Sequence, residues 1–79
     1  MANVTEAKKV AKEHGVKGFR KLKLKRELYT IGNQCSYINK FMAVRLIEKL
    51  EELGFRIGGK IDCLELAEKG LLDTITIEA

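Results

Sequence analysis

The 79-residue sequence is poor in the residues from which catalytic and metal centres are usually built. It has one histidine, His14, and two cysteines, Cys35 and Cys63. One histidine cannot supply a catalytic triad, an acid–base pair or a zinc site, and neither cysteine has a second cysteine or a histidine at metal-ligand spacing. We therefore expect no enzyme activity, no metal and no cofactor, and we interpret both cysteines as buried free thiols.

The sequence also lacks a long hydrophobic run. The longest uninterrupted apolar stretch is residues 41–44, whereas a helix that crosses a bilayer needs about 18 to 20 apolar residues. No hydrophobic signal segment opens the sequence. These features predict a cytoplasmic protein with no membrane contact.

No internal repeat, low-complexity stretch or proline marks a boundary between domains. We therefore expect one small domain, residues 1–79, with a basic N-terminal subregion (1–32) followed by a core region (33–79). A chain of this length buries only about 60% of its unfolded surface, so a homodimer interface would help to stabilise it.

The charge is distributed unevenly along the chain. Residues 1–40 contain ten Lys or Arg and three Glu, whereas residues 41–79 contain five Lys or Arg and eight acidic residues, which leaves a formal net charge of +4. Such asymmetry attracts polyanions to one part of the surface. It favours nucleic acid or an acidic protein surface as the partner.

Two amphipathic helices are predicted from capping and periodicity. Asn3 with Glu6 resembles a capping box at the start of the first helix, and Gly15 is a typical C-cap. Ser36 is a candidate N-cap for a longer helix that ends near Gly54. The apolar positions of the longer helix recur at helical spacing and are expected to form the core: Met42, Ala43, Leu46, Ile47, Leu50 and Leu53.

The basic segment 20–31 is ambiguous. Leu22, Leu24 and Leu28 alternate with charged residues as in a half-buried strand, while Leu24, Leu28 and Ile31 also keep a helical spacing. The abundance of Lys, Leu, Arg and Glu favours a helix weakly. Both interpretations remain open at this point.

The sequence of the C-terminal third predicts a hairpin and a final strand, with a short helix as an alternative for part of the hairpin region. Residues 55–63, "FRIGGKIDC", are typical of a hairpin around Gly58-Gly59, with Ile57 opposite Ile61. A short helix from Asp62 to Lys69 is the alternative. Residues 71–79 alternate apolar and polar side chains as a final strand. The predicted fold class is α+β: an N-terminal helix, a basic segment (helix or strand), a long central helix, a hairpin and a C-terminal strand.

Residues 11–28, "AKEHGVKGFRKLKLKREL", resemble the helix-extended loop-helix modules, namely the SAP domain and the related N-terminal module of transcription terminator Rho. In these modules a Gly-hydrophobic-Lys-Gly-aromatic turn, matched here by residues 15–19, joins an amphipathic helix to a basic second helix. The sequence has one extra residue before Leu28, which would shift that helix or convert it into a strand. The resemblance implies binding to DNA or RNA.

Two functions are compatible with these features. The first is a small nucleic-acid-binding protein with little base specificity, in which DNA is favoured over RNA. It would contact backbone phosphates through Lys17, Arg20, Lys21, Lys23, Lys25 and Arg26. The alternative is a small regulator or inhibitor, of the kind that mobile elements encode, which binds a protein partner through the same basic face or through a sheet edge.

Overall fold

A computed structural model describes residues 3–22, 27–33 and 36–79. Within these ranges the chain forms three helices and one four-stranded antiparallel sheet, so the predicted α+β class is confirmed. In chain order the elements are α1 (Val4–Glu13), β1 (Gly18–Lys21), β2 (Leu28–Gly32), α2 (Lys40–Glu52), β3 (Arg56–Ile57), α3 (Lys60–Glu68) and β4 (Thr74–Glu78).

The sheet has the order β1-β2-β4-β3, with every neighbouring pair antiparallel. The N-terminal subregion and the core region therefore share one sheet, since β2 is hydrogen-bonded to both β1 and β4. Ile31 of β2 pairs with Ile75 of β4, and Ile77 of β4 lies between Tyr29 and Ile57. These residues lie on one face of the sheet because side chains alternate along each strand.

The core lies between this face of the sheet and the helices. All three helices contribute buried residues to one cluster with Ile31, Ile75 and Ile77. Leu46 and Leu50 of α2 are fully buried, as the helical periodicity predicted. Helix α2 is the centre of the helical layer, since it contacts α1, α3 and β3.

Helix α1 has the predicted N-cap, whereas its C-cap is His14 and the predicted Gly15 is the next residue. The Asn3 side chain accepts a hydrogen bond from the Glu6 N–H at 3.2 Å, and Gly15 takes a positive φ of 78° just after the helix. Its buried residues are Ala7, Val10 and Ala11. The turn after α1 packs back on the core because Val16 is buried and its N–H donates to the Ala11 carbonyl.

Helix α2 begins later than the sequence predicted. Asn39, and not Ser36, is its N-cap, and the Asn39 side chain accepts hydrogen bonds from the N–H groups of Phe41 and Met42. Ser36 instead forms an isolated β-bridge with Asn33. Both residue types are good N-caps, so the choice between them depends on where the preceding chain is held. A hydrogen bond from the Ile38 N–H to the Leu72 carbonyl ties that part to the chain before β4.

The described part of the basic segment is strand, not helix. Residues 18–21 and 28–32 pair with each other as β1 and β2, with Phe19 opposite Ile31. The weak helical preference of the composition is overridden because the strand places Ile31 in the core beside Ile75. The basic second helix implied by the resemblance to helix-extended loop-helix modules is therefore replaced by strand at these positions.

The predicted hairpin around Gly58-Gly59 is wrong. Ile57 pairs with Ile77 of β4, and the chain enters α3 directly after Gly59, which has a φ of 58°. The alternative, a helix in this region, is what the structure shows, although it begins at Lys60 and not at Asp62. The hairpin prediction required Ile61 to face Ile57, whereas in α3 Ile61 is exposed and Cys63 and Ala67, one helical turn apart, are buried.

No helix in the described part of the chain is long and apolar enough to cross a membrane.

Candidate nucleic-acid interface

The sheet has a second face that the helices do not cover. Successive side chains of each strand point in turn to the core face and to this open face. No residue on the open face is buried. Cross-strand pairing arranges this open face in rows: Gly18, Gly32 and Thr74 form one row, and Arg20, Thr30 and Thr76 form the next. These two rows are lined by small and hydroxyl side chains, with Arg20 at the edge strand. A third row, at the other end of the face, consists of Leu28, Glu78 and Arg56, of which the last two form an ion pair.

Asn33 connects the turn before β1 to the end of β2. Its side-chain carbonyl accepts a hydrogen bond from the Lys17 backbone N–H at 3.0 Å, and its side-chain amide donates one to the Gly15 carbonyl at 3.0 Å. One side chain thus satisfies two backbone groups of a turn that is 16 and 18 residues away in sequence. It holds the backbone of Lys17 beside the open face.

A shallow depression of about 510 Å³ lies where this turn meets the open face. Lys17 and Arg20 bring positive charge to it, and Thr30 and Thr74 bring hydroxyl groups. The full lining is Lys17, Gly18, Phe19, Arg20, Thr30, Gly32, Asn33 and Thr74, which includes no carboxylate. Ammonium, guanidinium, hydroxyl and amide donors are the groups that bind phosphate oxygens in proteins.

Two glycines allow the backbone segments at the floor of this depression to lie close together. A Cβ at Gly18 would collide with the carbonyl oxygen of Gly32, and a Cβ at Gly32 would lie 2.6 Å from the carbonyl oxygen of Asp73. The backbones of β1, β2 and the chain entering β4 therefore approach more closely than side chains would allow. As a result, the open face is flat at the row formed by Gly18 and Gly32.

Further basic side chains lie on the helical side of β1. The Lys8 ammonium of α1 lies 5.7 Å from the centroid of the Phe19 ring, within the range of a cation–π interaction. Phe19 packs against Tyr29, with ring centroids 5.5 Å apart. Lys21 pairs across the strands with Tyr29 and is exposed. The edge strand β1 is thus flanked by cations on both faces of the sheet.

The cations of the two halves differ in their partners. In the described part of the chain, ion pairs join Lys49 to Glu52, Arg56 to Glu78 and Lys60 to Glu51. All three cations belong to residues 41–79, whose other two cations, Arg45 and Lys69, form no ion pair within the described residues. Within the same described ranges, the cations of residues 3–40 form no ion pair: Lys8, Lys9, Lys12, Lys17, Arg20, Lys21 and Lys40.

The structure brings together part of the predicted site. Lys17, Arg20 and Lys21 are exposed and lie within five residues along the edge of the sheet. Arg20 points to the open face and Lys21 to the helical face, since neighbouring residues of a strand alternate. The other predicted contacts, Lys23, Lys25 and Arg26, lie outside the described residues.

Sequence reasoning missed the polar members of this site. Thr30 and Thr74 reach the depression only because β2 pairs with both β1 and β4. Asn33 carried a signal, because Gly32-Asn33 is a common chain-reversing pair, but its partners Gly15 and Lys17 could not be identified from it. Lys8 was visible as an exposed helix residue, and its proximity to Phe19 depends on how α1 packs on the sheet.

His14 and Cys63 are the histidine and the cysteine that the structure describes. His14 Nδ1 lies 2.8 Å from the Val10 carbonyl oxygen at the end of α1. Cys63 is buried and free, and desolvation, followed by the charge of Asp62, raises the pKa of its thiol. Cys35 lies outside the described residues. Among the residues that are described, no group of three or more His, Cys, Asp or Glu is placed to hold a metal ion.

In comparisons with known proteins, no family model, curated protein or solved structure matches the chain.

Proposed function

We propose that this chain binds the phosphate backbone of nucleic acid along the β1 edge of the sheet. The cations at this edge, called the basic face below, are Lys17 and Arg20 beside the open face, and Lys21 and Lys8 on the helical side. One observation carries the proposal. The described cations of residues 3–40 have no carboxylate partner in the described structure, whereas three of the five cations of residues 41–79 are in ion pairs. A cation that is not paired within the protein can neutralise a phosphate without first breaking an ion pair.

The depression beside Lys17 suits a phosphodiester. Lys17 and Arg20 supply charged donors at its sides, and Thr30 and Thr74 supply hydroxyl donors from the neighbouring strands. The flat floor at Gly18 and Gly32 lets a backbone approach the sheet closely. These are contacts to phosphate and sugar, which position a nucleic acid without reading its sequence.

The arrangement of aromatic residues favours a duplex over a single strand. Proteins that hold single strands without sequence preference stack the bases on exposed aromatic rings. Phe19 and Tyr29, the aromatic residues of the described strands, lie on the helical face and pack against the core and each other. Two of the three rows of the open face carry threonine, glycine and Arg20, and no aromatic residue of the described strands lies on this face. These rows offer phosphate contacts and no stacking platform.

The position of β1 also favours a second function, a small regulator that binds a protein partner. Strand β1 is an edge of the sheet, and an exposed edge can accept an additional strand from another protein. The exposed Lys17, Arg20 and Lys21 would select an acidic extended segment. Lysine on an edge strand also discourages strand addition, which is why we rank this function second.

The two functions are distinguished by one set of titrations of the intact protein. A labelled duplex DNA, a single-stranded DNA, an RNA of the same length and an acidic peptide are each titrated at two salt concentrations. Our proposal predicts the tightest binding to the duplex and a marked weakening at the higher salt. Binding of the acidic peptide alone would support the regulator, and a protein that binds no nucleic acid at low salt would contradict the proposal.

A further inference from the structure

A second surface, on the helical layer, has features that the basic face does not explain. The exposed large apolar side chains include Tyr37, Phe41 and Leu71, with 58%, 67% and 47% of their surface accessible. The hydrogen bond from the Ile38 N–H to the Leu72 carbonyl brings the chain before α2 beside the chain after α3. These three side chains therefore lie at the same end of the molecule, where α2 begins and α3 ends.

A groove of about 400 Å³ adjoins this end, between α2 and α3. Phe41 and Val44 of α2 supply its apolar surface, and Glu68 of α3 lies on the opposite side. Lys40 and Arg45 complete the lining from α2. The α2 side of the groove is thus positive and the α3 side is negative.

We infer that this groove, which the exposed Phe41 lines, is the contact surface between two copies of the chain. In a two-fold contact whose axis runs along the groove, α2 of one copy lies over α3 of the other. Arg45 of each copy then faces Glu68 of the other copy, and the two Phe41 side chains share the apolar centre. Such a contact is isologous, which requires a surface that complements itself.

The charges of the groove favour a second copy over a different partner. A strongly acidic or strongly basic protein would be attracted to one side of the groove and repelled by the other. Only a partner with the reverse arrangement of charges matches both sides, and rotation of the chain itself supplies that arrangement. The groove also resembles stable protein interfaces, which have an apolar centre and a polar rim.

The surface of the chain and the position of the groove are compatible with a dimer. An interface at the lower end of the stable range buries about 600 Å² on each partner, which is about one tenth of the 5626 Å² surface of the chain. The groove belongs to the helical layer, and the open face lies on the other side of the sheet. Dimerisation would therefore leave both open faces accessible.

The test is the molar mass of the intact protein, measured by analytical ultracentrifugation from micromolar to near-millimolar concentration without nucleic acid. We expect a reversible monomer–dimer equilibrium for the wild type. Phe41→Glu should be monomeric over this range. The matched control is Ile61→Glu, because Ile61 is also an exposed apolar residue, with 75% of its surface accessible, in the first turn of α3. This control should dimerise like the wild type.

A charge exchange tests the two-fold arrangement directly. Arg45→Glu and Glu68→Arg should each weaken the dimer by about tenfold or more, because each creates like-charged contacts, and the double variant should regain wild-type dimerisation. Circular dichroism establishes that each variant is folded, and the charge variants keep the test valid if Phe41→Glu does not fold. A wild type that stays monomeric, a dimer lost equally in Ile61→Glu, or a double variant that is not rescued would each overturn the inference. Since no nucleic acid is present, its failure would be independent of the proposed function.

Discussion

The side chain of Asn33 holds the backbone on both sides of Val16: it accepts a hydrogen bond from the Lys17 N–H and donates one to the Gly15 carbonyl, each at 3.0 Å. The two bonds connect the end of β2 to the turn between α1 and β1. They keep Lys17 beside the depression that Arg20 also lines. The placement of a basic residue proposed to bind phosphate therefore depends on the uncharged residue that follows the neighbouring strand β2.

Replacing Asn33 with Ala should destabilise the protein by about 1 kcal/mol. It removes two hydrogen bonds, but both lie in an exposed region where water replaces them in part. Asn33→Asp keeps the acceptor for the Lys17 N–H but sets a carboxylate oxygen against the Gly15 carbonyl oxygen, so it should not restore wild-type stability. Urea denaturation of the three proteins measures the difference, and an Ala variant as stable as the wild type would show that the two bonds contribute nothing.

The triple variant Lys17→Ala, Arg20→Ala, Lys21→Ala should bind duplex DNA with a weaker dependence on salt. Each phosphate contact contributes about −0.9 to the slope of log affinity against log salt, so the slope should become less steep by up to about 2.7. Its thermal stability should change little, because exposed charges contribute little to folding.

The matched control for this variant is Lys49→Ala, Arg56→Ala, Lys69→Ala, which removes the same number of lysines and arginines from the other half of the chain. It should bind DNA much more like the wild type. If both triple variants lost the same part of the salt slope, attraction would depend on net charge alone and not on the basic face.

Gly32→Ala should destabilise the protein by about 1 to 3 kcal/mol, the usual cost of forcing atoms into a packed site. The new Cβ would lie 2.6 Å from the Asp73 carbonyl oxygen, so the strands would have to separate. Gly58→Ala is the control, since a Cβ at Gly58 would lie at an ordinary distance of 3.4 Å from the Thr76 carbonyl oxygen. Urea denaturation should separate the two variants, and equal stabilities would contradict the predicted close approach.

Leu50→Ala should cost about 2 to 5 kcal/mol, through lost burial and the cavity that remains. Leu50 is fully buried in α2, whereas Leu66 of α3 is 40% exposed. Leu66→Ala should therefore cost much less. The two midpoints of chemical unfolding provide the comparison, and a Leu50 variant no less stable than the Leu66 variant would place Leu50 outside the core.

Cys63 should make the stability of the protein fall at alkaline pH. Burial, followed by the charge of Asp62, raises the pKa of its thiol above the ordinary value of 9.0. The unfolded chain then loses the thiol proton at a lower pH than the folded chain. This contribution to stability is complete below pH 9.0 and is lost as the pH rises through the folded pKa. Unfolding experiments on the wild type and Cys63→Ala across this range should show a steeper decline for the wild type, and parallel declines would contradict the raised pKa.

The helices that carry the core could be predicted from the sequence because their signals are local. Asn3 and Glu6 are three residues apart, and Leu46 and Leu50 are one helical turn apart, so the cap and the buried stripe follow from nearest-neighbour geometry. The same is true of the alternation of Ile75 and Ile77 in β4. The cations Lys17, Arg20 and Lys21 could also be recognised, since charge is a property of composition.

The tertiary structure decided the elements whose local signals were ambiguous. Residues 20–31 satisfied the spacings of both a helix and a strand. In the described part of this segment the strand form is selected because it places Ile31 beside Ile75 of β4, 44 residues away. Ile57 could pair with a nearby or a distant strand, and Ile77 provides the buried partner. The Asn33 bridge and the depression beneath Lys17 arise from the same long-range pairing. Local spacing cannot specify such contacts, because their free energy appears only when distant segments pack together.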